Sequence, residues 1–198
     1  APFVSATVSK VVNGTITVSS SASSTTASSS IYFENGTCKC PNASVGDTAT
    51  ISGTIYTVVD NNSIITEISN GNVNLCTTPV TNMFELLKDN TSFNSDIGFW
   101  DTSSASDMRG VFNGASSFNQ DIGNWNVSNV VYMINMFRRA SNFNQDISNW
   151  DTGSLTDMNS MFFYATSFNH DIGNWNTSNV NYMPDMFKEA SSFNQDIG

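Results

Sequence analysis

Basic residues are scarce: seven Lys and Arg stand against seventeen Asp and Glu, for a net charge of −10 at pH 7. So few cations exclude extended binding to a nucleic-acid phosphate backbone or to an anionic lipid surface. Long apolar runs are missing too. Nothing approaches the ~20 residues that span a bilayer, so membrane insertion is not expected. Histidine occurs once, at His170, and the cysteines are only Cys38, Cys40 and Cys76. No Gly-rich phosphate loop is present, no Ser or Cys nucleophile sits in a motif with His170, and the acidic residues follow a fixed spacing instead of pairing around a cleft. These absences argue against an enzyme.

What remains is a chain of 198 residues, 39% hydrophobic and 12% aromatic, which is ample for a packed core. Cys38 and Cys40 are one residue apart and seldom bond to each other. A disulfide would therefore join Cys76 to one of them and leave an odd thiol, the alternative being a C-x-C metal site or free thiols. The first residues, Ala1-Pro2-Phe3, fit a secreted protein after processing or a trimmed chain.

The chain divides into regions of different grammar. In residues 1–30, Asn13-Gly14 separates two β-branched runs, the signal of a tight hairpin, and residues 19–30 hold only Ser, Thr and Ala. Residues 31–75 read as a β-rich cap. Strand signals lie at 31–33, 50–52 and 54–59, followed by a short helix through Ile64, Ile65 and Ile68 that Asn62-Ser63 would cap and Asn70-Gly71 would end.

From residue 76 the sequence aligns with itself every 25 residues, through four complete copies and an incomplete fifth. Met stands at 83, 108, 133, 158 and 183, Phe at 93, 118, 143, 168 and 193, and Trp at 100, 125, 150 and 175. Leu87, Phe112, Phe137, Phe162 and Phe187 make another column, as do Ala115, Ala140, Ala165 and Ala190. One such unit is too small to bury a core alone, whereas stacked units share apolar faces with two neighbours. The expected fold is an α/β repeat solenoid, leucine-rich-repeat-like, with short parallel strands and short helices, preceded by the β-rich cap. Pro184 fits the first turn of a helix but not its interior, so the helices are expected just after each Met, over 84–89, 109–114, 134–140, 159–165 and 184–190, with the preceding Val-x-x-Met extended. The copies alternate. Asp107 and Asp157 precede the Met in two of them and Tyr132 and Tyr182 in two others, which spaces like charges along the stack.

Two polar columns are candidate sites. Asp96, Asp121, Asp146, Asp171 and Asp196 would repel one another at strand spacing unless each accepts turn N–H groups or calcium bridges the rungs. Asn94, Asn119, Asn144, Asn169 and Asn194 suggest a structural amide ladder. Calcium is the one cofactor the pattern raises.

The words FNQDIGNW (118–125), SNV (128–130) and MINMFRRA (133–140) resemble the bacterial surface-protein 26-residue repeat family, a BspA-like relative of leucine-rich repeats. Cys40-Pro41-Asn42-Ala43, Val45-Gly46-Asp47-Thr48, Tyr56-Thr57-Val58-Val59-Asp60 and Cys76-Thr77 resemble the cap that precedes such arrays in marine Bacteroidota surface proteins. The resemblance implies a Cys40–Cys76 disulfide and a secreted, extracellular or cell-surface location. It also implies a non-enzymatic role in adhesion or macromolecular binding, with a protein or glycan on a cell surface as partner. The alternative is a structural one. The fifth copy stops before its Trp, which is expected either from a longer parent chain or from self-association into an extracellular fibre, by end-to-end stacking or by strand addition from residues 1–30.

Overall fold

The computed structural model describes the backbone of residues 7–12 and 15–19 and the whole of residues 30–197. Strands β1 (Thr7–Val12) and β2 (Thr15–Ser19) pair antiparallel, with Val12 opposite Thr15. Asn13-Gly14, expected to make their turn, and residues 20–29 of the Ser/Thr tract lie outside the described residues.

The cap is built from two antiparallel hairpins. β3 (Tyr32–Glu34) pairs with β4 (Thr37–Lys39), and β5 (Thr48–Ile51) with β6 (Thr54–Val58). Helix α1 (Ser63–Ser69) follows, and β7 (Leu75–Cys76) returns parallel to β6. The helix falls where its apolar spacing places it, but its start is capped differently. Asn62 makes no capping bond. Asp60 Oδ1 instead accepts the N–H groups of Asn62 and Ser63 at 3.1 and 2.8 Å and the Ser63 hydroxyl at 2.7 Å. Three donors on one carboxylate hold Asp60 below the usual carboxylate range.

Beyond the cap, successive 25-residue units lie one on another. Single-residue parallel bridges join Asn82, Asp107, Tyr132, Asp157 and Tyr182 in turn, so the extended part of each unit is shorter than the expected strand. The segments after each Met are not helices. Residues 84–89, 109–114, 134–139, 159–164 and 184–189 form consecutive turns. Even-numbered N–H groups of the first close four-residue β-turns, Leu86 to Met83 O and Lys88 to Glu85 O, while Met83, Glu85, Leu87 and Asp89 donate to Asp107, Arg109, Val111 and Asn113 of the next unit. The physical reason lies in the backbone. Positions 85, 89, 135, 139, 160, 164, 185 and 189 all sit at φ between 50 and 61°, with Gly110 and Gly114 at 64 and 77°, and a right-handed helix cannot contain such residues. A helix would also turn its N–H groups along its own axis, whereas these turns spend half of them on the neighbouring unit.

The same ladder repeats upward. Met108, Gly110, Phe112 and Gly114 donate to Tyr132, Ile134, Met136 and Arg138, and Met133, Asn135, Phe137 and Arg139 donate to Asp157, Asn159, Met161 and Phe163. Each such bond contributes about 1 kcal/mol net. Between the ladders runs one continuous core. The Phe118, Phe143 and Phe168 rings stack on their neighbours at 6.0 Å, and Phe112, Phe137 and Phe162 stack at 5.4 Å. Within a unit the two columns meet face to face, Phe137 on Phe143 at 4.0 Å. The Trp columns are buried as well, and each indole N–H donates to a carbonyl one unit back: Trp125 to Ile97 O, Trp150 to Ile122 O and Trp175 to Ile147 O. Among the described residues no buried side-chain N or O lacks a partner.

The cap reaches past the first unit to grip Asp101, at the start of the second, whose side chain is only 2% exposed. Lys39 Nζ reaches its Oδ1 at 2.8 Å, Thr78 Oγ1 donates to Oδ2 at 2.7 Å, and Ser103 donates from its hydroxyl and its N–H. Burial raises the Asp101 pKa, but the hydrogen bonds from Lys39, Ser103 and Thr78 outweigh it and hold the carboxyl below its ordinary value. A depressed folded-state pKa stabilises the fold above the unfolded pKa of about 3.9, and that contribution fades as pH falls through the lower folded value. Asp101→Asn is expected to lower stability by about 1–3 kcal/mol at neutral pH. The wild-type and Asp101→Asn urea midpoints should converge as pH drops below about 4; a gap unchanged down to the acid transition would contradict this account of the clasp.

Candidate functional site

The Asp column belongs to turns. Asp96, Asp121, Asp146 and Asp171 each accept the N–H two residues on, from Gly98, Gly123, Ser148 and Gly173 at 2.8–3.0 Å, and Asp196 continues the exposed row. The Ser148 hydroxyl and N–H keep Asp146 below the usual carboxylate range. Gly at this turn permits close stacking, since a Cβ on Gly123 would stand 2.7 Å from the Asp146 carbonyl oxygen. Calcium bridging between the rungs gains no support from this geometry. Among the described residues no three His, Cys, Asp or Glu side chains are grouped to hold a metal ion, and Asp96, Asp121, Asp146 and Asp171 each spend Oδ1 on their own loop.

The Asn column is a rung-to-rung ladder in which each Asn side-chain carbonyl serves the next unit. Asn94 Oδ1 accepts the backbone N–H of Asn119 at 2.9 Å, Asn119 that of Asn144, Asn144 that of Asn169, and Asn169 that of Asn194. The Gln that follows adds a second donor, Gln145 Nε2 to Asn119 Oδ1 at 2.9 Å, and His170, replacing Gln, reaches Asn144 O at 3.1 Å. His170 is thus a ladder residue.

Cys40 and Cys76 form the disulfide, and Cys38 stays buried beside them. Such a bond suits an oxidising compartment, and among the described residues no helix is long and apolar enough to cross a membrane. Burial pushes the Cys38 thiol up to about 12, with the Asp101 charge adding to the effect. Cys38 is therefore expected to resist iodoacetamide at pH 8 in the native chain and to react once denaturant is added; modification of the folded protein, read by mass, would contradict this.

The surface that no core or ladder requirement explains is the turn face. Of the seven basic residues, Lys88, Arg109, Arg138, Arg139 and Lys188 lie on it, in a chain of net charge −10. Aromatic rings alternate with them. Arg109 forks onto Asp107, with Nε 2.9 Å from Oδ1, and its guanidinium lies between Phe84 and Tyr132, 5.0 and 5.5 Å from the ring centres. Arg138 lies 4.3 Å over Phe163, and Lys188 lies 5.7 Å from the same ring. Phe84, Tyr132, Tyr164 and Tyr182 are 43–56% exposed. The sequence columns pointed to identical positions, so this face, made of the positions that differ between copies, went unread. A scan for exposed classes at non-repeating positions would have found it.

Two hollows open on the array. One of about 390 Å³ is the free side of the last described unit, lined by core-column residues such as Trp175, Met183 and Phe187. The other, about 350 Å³, lies on the turn face between Arg139, Ser141, Tyr164 and Thr166.

No curated protein and no solved structure matches the chain. A family model described as "Mycoplasma protein of unknown function, DUF285" matches residues 55–152 and again 122–198, which together take in the end of the cap and all of the stacked units. Since that is well over half of its length, the chain belongs to the DUF285 family.

Proposed function

We propose that the chain is a non-enzymatic binding module of a secreted or cell-surface protein, and that its turn face is the contact surface. In this reading the stacked units are a leucine-rich-repeat-like solenoid of the BspA-like 26-residue class, serving adhesion or macromolecular recognition at a cell surface. The observation that carries it is the concentration of cations and half-exposed aromatic rings on one face of an acidic molecule, Arg109 between Phe84 and Tyr132 and Arg138 on Phe163. Aromatic and Arg side chains are the residues that dominate binding energy where partners meet. Units locked together by backbone ladders hold those side chains in place before binding, which reduces the ordering cost of association.

Fluorescently labelled chain applied to bacterial and epithelial cells tests the reading by flow cytometry. The triple variant Phe84→Ser, Arg109→Gln, Tyr132→Ser is expected to lose at least about tenfold of the bound signal. Asp121→Asn with Asp146→Asn, on the acidic turns, should leave binding within about twofold. Loss in the second variant with retention in the first would contradict the assignment of the face.

A further inference from the structure

We propose that the hollow between Arg139 and Tyr164 is a subsite for a carboxylate-bearing sugar, an inference that rests on the turn face being the contact surface. Among the described residues Arg139 is the cation of the array with no partner of its own: Lys88 pairs with Glu85, Arg109 with Asp107 and Lys188 with Asp185, while Arg138 lies on Phe163. Its neighbours in the same column, one unit below and one above, are Gly114 and Tyr164, so no carboxylate stands beside it there. A planar guanidinium with unused donors matches a carboxylate through two parallel hydrogen bonds.

The rest of the lining suits a sugar ring. Tyr164 is 43% exposed and offers an aromatic face. Ser141 and Thr166 donate their hydroxyls to Ser116 O and Ser141 O, at 3.4 and 3.3 Å, which leaves their lone pairs to accept from sugar hydroxyls. A volume of about 350 Å³ is at the small end of ligand sites. Capture of an acidic peptide by strand addition is closed off, because the N–H groups of Arg139 and Tyr164 are already spent on Phe163 O and Lys188 O at 2.8 and 3.0 Å, and recognition of an acidic motif by side chains alone uses a cluster of Arg, whereas Arg139 is a single cation in this hollow.

The backbone decides which variants can test the site. Arg139 and Tyr164 sit at φ 58 and 57°, in a column where Gly114 sits at 77°. Glycine takes this conformation freely and long side chains do not. Asp89 and Glu189 of the same column share the conformation at 56 and 61°, so it belongs to the repeat, and glycine can replace either Arg139 or Tyr164 without disturbing the backbone.

The test uses the whole chain and isothermal titration with trigalacturonate, 3′-sialyllactose, maltotriose and a glutamate hexapeptide. One or both acidic sugars are expected to bind, distinguishing a uronate from a sialic acid, with maltotriose and the peptide at least about tenfold weaker. Arg139→Gly and Tyr164→Gly should each weaken the acidic sugar by about tenfold or more without lowering the melting temperature, since glycine suits the backbone there. Absence of acidic-sugar binding, equal binding of maltotriose or of the hexapeptide, or an unchanged Arg139→Gly variant would overturn the proposal. If neither acidic sugar binds while labelled chain still binds cells through Phe84, Arg109 and Tyr132, the sugar assignment falls and the contact face stands; no cell binding at all removes both.

Discussion

Phe137→Ala is expected to destabilise the chain by about 3–5 kcal/mol. Phe137 is fully buried and stacks on Phe112 and Phe162 at 5.4 Å, on Phe143 at 4.0 Å and against Trp150 at 6.2 Å. Removing the ring leaves a cavity between two layers that cannot close, because the backbone of each unit is bonded to the units above and below at fixed spacing. Phe187→Ala makes the contrast. That ring stacks on Phe162 at 5.5 Å and on Phe193 at 4.0 Å but is only half-buried, so its loss is expected to cost less than half as much. Urea midpoints of the two variants give the comparison, and equal losses would mean that Phe137 is not shared between layers.

Loss of the Cys40–Cys76 bond is expected to cost about 2–4 kcal/mol, by releasing a loop whose ends are 36 residues apart in sequence. The loop contains β5, β6 and α1, so it ties the cap to the strand from which the stacked units begin. The junction is otherwise held by the Asp101 clasp, by Cys38 N–H on Phe99 O at 2.8 Å, and by Asn61 Oδ1, which accepts the N–H groups of Thr81 and Asn82. Thermal melts of wild type and of Cys40→Ala with Cys76→Ala, with and without reductant, check the value. Reductant should shift the wild type to the variant and leave the variant unchanged; a wild type indifferent to reductant would contradict the role given to the bond.

The repeat was legible because burial makes identical demands at equivalent positions. Met133, Phe137, Phe143 and Trp150 had to recur, since each meets its own counterpart one unit away. The pairing of Cys40 with Cys76 came through the resemblance of the cap and not through spacing, which left Cys38 and Cys40 equal as partners of Cys76. The local conformation after each Met was not legible. Arg139, Ser160 and Tyr164 carry no glycine-like signal, and only Gly110, Gly114 and, more weakly, Asp89, Asn135 and Asp185 hinted at left-handed backbone; the short apolar spacing of Met133, Met136 and Phe137 fits a helical turn and a stack of β-turns equally well. The Asp60 cap was hidden because Asn62 and Ser63, nearer the helix, are equally good capping types. The turn face was hidden for a different reason, since positions outside the core such as 84, 109, 138 and 139 are under no packing demand to repeat.

Excision of residues 126–175 tests the stacked arrangement most directly, because it removes two whole units, joins Trp125 to Asn176 and preserves the alternation of Asp107 with Tyr182. The account predicts that the shortened chain folds, with the ladder and both ring columns closing across the junction and a single cooperative urea transition at a lower midpoint. Excision of 38 residues, 126–163, one and a half units, should lower the midpoint much further and break the single transition, since no ring beyond the junction would then meet its counterpart below it. A 50-residue excision that fails to fold, or a 38-residue one that folds equally well, would contradict it.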